Sequence, residues 1–126
     1  MEYGAHLPLI DFDGRGWSQA TLASYVDAAR QLGYDFISAN DHLVFDRPWL
    51  DCIVALASVI DRSGDMGLAT TVSNPVVRGP ASLAKAAAAL DIPSGGRLAL
   101  GGWARLIAAR LRGCPPQLRR TLAPPR

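Results

Sequence analysis

Asn40, Asp41 and His42 are three consecutive side chains able to bind, orient and transfer protons, and they follow directly on the apolar run from Tyr34 to Ala39. Histidine changes its charge between about pH 5 and 8, so with a polar neighbour to orient it His42 suits general acid or base work. The same residues admit structural readings: a loop histidine capping a backbone group, and an aspartate that N-caps a short turn. His6, beside Pro8, fits a satisfied core histidine. Arg78, between Pro75 and Pro80, fits a solvated surface arginine, with an anionic cofactor tail as its alternative partner. Cys52 and Cys114 have no CxxC spacing and no clustered histidines, so neither a metal site nor a disulfide framework is expected, and Cys52 reads as a small buried apolar residue.

The elements that must position these groups alternate. Gly4 to Ile10 reads as a buried strand running into the turn-rich DFDGRG, and Ser18 is a candidate N-cap for a helix through Leu32, stopped by Gly33. Tyr34 to Ala39 is a second strand, Leu50 to Ile60 a second helix, and Gly67 to Val72 a third strand. Pro75 and Pro80 bracket a loop, and Pro80 opens a third helix through SLAKAAAALD. Ser94-Gly95-Gly96 stops it before a fourth strand begins at Arg97 to Leu100. This βα alternation implies an α/β fold with a parallel sheet, because each parallel pair needs a crossover connection. Four strands alone do not separate a barrel from a doubly wound sheet, but the polar residues gather at the C-terminal ends of strands two and three, where both architectures bind ligands.

A chain of 126 residues with 49% hydrophobic and 19% charged content can bury a core, and no apolar stretch approaches the ~20 residues of a membrane span. With no basic start and apolar run at the N-terminus, a cytoplasmic location is expected and no membrane partner. The net charge of +2 hides an asymmetry: the stretch 101–126 carries six arginines and no acid, so the body is acidic and the tail basic.

The strings AARQLGYD, SANDHLVFDRPWLD, LATTVSNPVVRGPASLAKAAAALD and SGGRLALG, in this order and spacing over residues 4–101, resemble the luciferase-like monooxygenase superfamily, especially its deazaflavin-type branch. The resemblance implies a partial (β/α)8 TIM barrel, about its first four strands and three helices, with a flavin-type ring across the C-terminal strand ends. It implies a fragment of an oxidoreductase or monooxygenase acting on a small organic substrate, with a deazaflavin coenzyme (F-420 type) or FMN. Under it, Asn40, Asp41, His42, Thr70, Thr71 and Val72 contact the cofactor, His42 is the catalytic residue, and Trp49 walls the substrate pocket. Some members carry a non-prolyl cis peptide beneath the ring, which falls here on Thr71–Val72.

After Leu100 the chain departs from the family pattern. Where the family continues with a Gly-Pro-Gly-Ser-Ser type loop, this chain reads GGWARLIAARLRGCPPQLRR; GC-rich codons read one base later would restore the family's strings, which points to a frameshift. The expected division is therefore 1–100 as barrel and 101–126 as a basic, Arg- and Pro-rich tail. A full barrel has ~250 residues, so about half is present, with an open edge that favours a homo-oligomer. The competing reading is a non-catalytic truncated remnant or binding module without enzyme activity. Nucleic-acid binding by the tail ranks last, since it has one aromatic and no recognised module, and no nucleic-acid partner is expected.

Overall fold

The computed structural model describes residues 1–42 and 45–102. Four strands, β1 (Gly4–His6), β2 (Phe36–Ala39), β3 (Gly67–Ser73) and β4 (Leu98–Gly102), alternate with helices α1 (Gln19–Gln31), α2 (Cys52–Ser58), α3 (Ile60–Ser63), α4 (Pro75–Arg78) and α5 (Pro80–Asp91). The strands form one sheet in the order β1-β2-β3-β4, every pair parallel. A doubly wound sheet reverses its strand order at a switch point. Among the described residues the strand order does not reverse, and the architecture is α/β with the consecutive strands of a partial barrel wall.

Strand register explains the two faces. Ala5, Ile37, Leu68 and Leu98 are aligned across the four strands, and all four belong to the buried core together with Val26 of α1, Leu56 of α2 and Leu90 of α5. Each of the valine, leucine and isoleucine side chains among them contributes roughly 1.5–3 kcal/mol by leaving water. The alternating row is small: Ser38, Ala69 and Ala99 are partners in register, and His6 pairs with Ser38. His6 is exposed rather than in the core, although its Nδ1 lies 2.8 Å from the Leu7 carbonyl.

Local signals account for the boundaries. Ser18 caps α1, accepting from the Thr21 amide at 3.0 Å. The expected second helix divides into α2 and α3 at Val59, which leaves helical geometry at φ −117° and ψ 9°. The loop expected between the prolines contains a short helix, α4, capped by Asn74, whose Oδ1 accepts from the Val77 amide at 3.2 Å. Beyond α5 the Ser94-Gly95-Gly96 stop forms as expected, with the Gly96 amide bonded to the Asp91 carbonyl at 2.9 Å. Beside it, at the opposite end of the sheet from the strand C-termini, Arg97 donates to Ser94 O, Ser63 Oγ and Met66 O. The basic tail lies outside the described residues from position 103 onward. Among the described residues no helix is long and apolar enough to cross a membrane.

Candidate functional site at the strand C-termini

β2 ends at Ala39, and the chain leaves the sheet through Asn40, Asp41 and His42. The His42 ring is exposed and packs on Trp49, with ring centroids 4.2 Å apart. Phe45, which composition and spacing had not singled out, completes the cluster edge-on to Trp49 at 4.8 Å and lies 5.7 Å from His42. Trp49 is itself fixed from the other side: it bridges to Ile10 in antiparallel fashion, and the Leu50 amide bonds the Leu9 carbonyl at 2.9 Å. The connection after β1 therefore holds the wall against which the β2 histidine rests.

β3 brings Thr70, Thr71 and Val72 to the same end of the sheet. Thr70 is buried and its Oγ1 donates to the Gly101 carbonyl at 2.8 Å, whereas Thr71 and Val72 are exposed. The Thr71–Val72 peptide bond is cis, at the position the resemblance implied. Pairing with β4 shifts register between Thr70 and Ser73, so the strand is irregular where these two residues stand out. At Gly101 the strands come so close that an added Cβ would overlap the Thr70 carbonyl oxygen.

Arg78 corrects the expectation of a solvated surface arginine. Its side chain is 15% exposed, and it grips Asp41, 1% exposed, in a two-point fork, Nε to Oδ2 and Nη2 to Oδ1, both at 2.6 Å. The same guanidinium donates to Asp51 Oδ2, while Asp51 Oδ1 accepts from the Val54 amide at 3.0 Å and so caps α2. The Asn74 amide adds a third bond to Asp41, at 3.0 Å. Burial by itself pushes the Asp41 carboxyl up, but the hydrogen bonds from Arg78 and the Asn74 amide, with the Arg78 charge, outweigh it and hold Asp41 below its ordinary value. The bond to Asp41 is the main cause that raises Arg78 above its own, against the opposing effect of burial.

Cys52 lies beneath this cluster, fully buried, with its Sγ 3.8 Å from Arg78 Nη2. Burial, reinforced by the Asp41 charge, pushes its thiol up to about 11. Because the unfolded thiol ionises near 8.5, the folded protein is favoured in full below that value and loses this contribution as pH rises towards 11. With Cys114 replaced by serine, Cys52 is expected to resist thiol reagents at pH 8 until denaturant is added. Prompt labelling of the native protein at pH 8 would show that the thiol is not enclosed as described.

Three polar atoms at this end of the sheet are buried without a hydrogen-bond partner among the described residues: Asn40 Oδ1, an acceptor, Trp49 Nε1, a donor, and the Ser73 hydroxyl at the end of β3, which can be either. Such groups in a folded protein call for a bound molecule or water. A ring edge carrying both an N–H and a carbonyl, as the pyrimidine side of a flavin or deazaflavin does, supplies the complement to Asn40 Oδ1 and to Trp49 Nε1. Among the described residues no group of three or more His, Cys, Asp or Glu is placed to ligate a metal ion.

A family model described as luciferase-like monooxygenase matches residues 11–103. Among solved structures, a monooxygenase from Streptomyces bottropensis is similar with a TM-score of 0.70 and 24% identity, over 81% of this chain and 32% of that one. A coenzyme F-420 dependent tetrahydromethanopterin reductase from Methanopyrus kandleri is similar with a TM-score of 0.64 and 23% identity, over 80% of this chain and 26% of its own. The oxygenating constituent of 3,6-diketocamphane monooxygenase from Pseudomonas putida, a type II Baeyer–Villiger enzyme in complex with FMN, is similar with a TM-score of 0.66 and 19% identity, over 97% of this chain and 36% of that one. At these identities the likeness is one of fold, and the chain spans roughly a third of the length of the solved proteins it resembles. No curated protein matches it.

Proposed function

The chain belongs to the luciferase-like monooxygenase family, and we propose that it carries the first part of the cofactor site of an oxidoreductase that acts on a small organic substrate with a deazaflavin coenzyme (F-420 type) or FMN. The observation that carries this reading is the convergence, at the C-terminal ends of β2 and β3, of the His42–Trp49 ring pair, the outward-standing Thr71 and Val72, and the unpartnered Asn40 Oδ1 and Trp49 Nε1. A barrel places its chemistry at that end.

When bound, such a ring supplies the hydride or oxygen chemistry, and the protein supplies placement and electrostatics. In this reading Thr71 and Val72 form the platform under the ring, and Asn40 holds an N–H of its polar edge. His42, exposed and braced by the indole of Trp49, holds or moves a proton at an imidazole nitrogen beside the reacting centre. Trp49 walls the substrate side and excludes water. Asp41 acts at one remove, since its carboxylate is already occupied by Arg78 and the Asn74 amide. Substrate and cofactor are the partners of this reading, and a homo-oligomer that pairs the sheet edges left uncovered among the described residues belongs to it as well.

Titrating the purified chain with FMN and, separately, with the deazaflavin coenzyme tests it. Saturable change in ring fluorescence is expected with one of them, weakened about tenfold in His42→Ala, which is ~1.4 kcal/mol of binding. Saturation by neither cofactor sinks the proposal and leaves a family member without cofactor binding.

A further inference from the structure

The segment that carries His42 and Trp49 begins at Asp41 and ends at Asp51, and both carboxylates are held by one guanidinium, that of Arg78. Arg78 belongs to a different part of the chain: it closes α4, just after β3. Its anchor is firm, because the Asn74 amide at the start of the same short helix also bonds Asp41. One side chain thus joins the exit of β2, the entry to α2 and the turn after β3.

We propose that Arg78 is a positioning residue for the His42–Trp49 pair: by gripping Asp41 and Asp51 together it fixes the two ends of the intervening loop and so sets the histidine against the indole. The proposal rests on the cofactor reading above for its functional meaning, but the geometry it asserts exists without any cofactor. The planar fork is essential to it. A guanidinium offers five donors in fixed directions, enough to bond two carboxylates at once, whereas a lysine ammonium is a point charge on a flexible stem and cannot reproduce the two-point grip. Arg78→Lys therefore keeps the charge that compensates Asp41 and removes the geometry.

The deciding measurement is the cross-relaxation between the His42 and Trp49 ring protons, read by NMR on the full chain with no cofactor added, together with the ring-current displacement of the His42 Cε1 proton. In the parent protein both are expected to be strong, since the ring centroids are 4.2 Å apart. Arg78→Lys is expected to weaken the cross-peak at least fivefold and return the His42 signal towards its free position, while the amides of β1 to β4 keep their shifts. Asp51→Ser supplies the second variant: serine preserves the α2 cap but is too short to reach Arg78, so it loosens one end of the loop and should give an intermediate loss. A residue that merely supports the fold would lower the unfolding midpoint and leave the cross-peak of the folded molecules unchanged. That result in both variants overturns the proposal, as does global unfolding of both, which would make the cluster a support of the fold rather than of the loop. Because the readout needs no ligand, failure of the parent chain to bind either cofactor would count against the proposed function alone.

Discussion

Arg78→Met is expected to lower the free energy of unfolding at pH 7 by about 3 kcal/mol or more, the cost of leaving a buried charge without its partner. The carboxylate concerned is Asp41, whose side chain is 1% exposed. The sign of the pH dependence follows from its depressed proton affinity. In the parent protein the pairing stabilises the fold above the unfolded carboxyl value of ~3.9 and is lost as pH falls through the lower folded value. In Arg78→Met that stabilisation is gone and the lone carboxylate opposes burial, so the gap between the two proteins is widest near neutrality and narrows once Asp41 can take a proton. Urea unfolding at pH 7 and pH 4 measures both. Adding Asp41→Asn to Arg78→Met should recover part of the loss, because no unpaired charge is then buried. Arg62→Met is the contrasting case: its partner Asp27 stands 3.5 Å away and the Arg62 side chain is 59% exposed, so a change within ~0.5 kcal/mol is expected. Equal costs for the two arginines would remove the distinction drawn between them.

Gly101→Ala is the second large effect. The methyl group would overlap the Thr70 carbonyl oxygen, a backbone atom held in the β3–β4 pairing and not a side chain that can swing aside. Relief requires the strands to part, which would also break the 2.8 Å bond from Thr70 Oγ1 to the Gly101 carbonyl. A loss of about 3 kcal/mol is expected, at the upper end for overpacking. Gly95→Ala separates this steric effect from a conformational one: Gly95 has φ 72° with open space around it, so its cost should be limited to ~1 kcal/mol of left-handed strain. Denaturant midpoints for the two variants that coincide would argue against the close approach.

Much of the scaffold was legible because its signals are local. Ser18 before a helical apolar repeat, Pro80 at a first turn, and Gly95 and Gly96 at a helix stop each act within a few residues, and each proved to mark a boundary. The missed helix α4 had its signal too, an Asn–Pro pair at positions 74 and 75 that caps and opens a helix, but four residues between prolines read equally well as loop. Whether the sheet was wound or part of a barrel was not written in any segment; it follows from strand order, which no periodicity reveals. In the site, His42 stood out as chemistry at a strand end, while Trp49, Thr71 and Val72 were reached only through the family's strings. The Asp41–Arg78–Asp51 cluster was illegible for a physical reason. Its members lie 37 and 27 positions apart, and a lone arginine among valines gives no hint of which acids it will meet.

The consecutive strand order also bears on how the molecule is assembled. Among the described residues each strand after β1 pairs with its immediate predecessor, about 30 residues back, at Gly4 with Phe36, Phe36 with Gly67 and Leu68 with Leu98. None of these four strands must wait for a distant partner or be inserted between two others already in place. Loop-closure cost is therefore spread over three similar, modest steps, and a chain emerging from the ribosome amino end first can extend the sheet one βα unit at a time, each unit laid on an edge that its predecessor has just supplied.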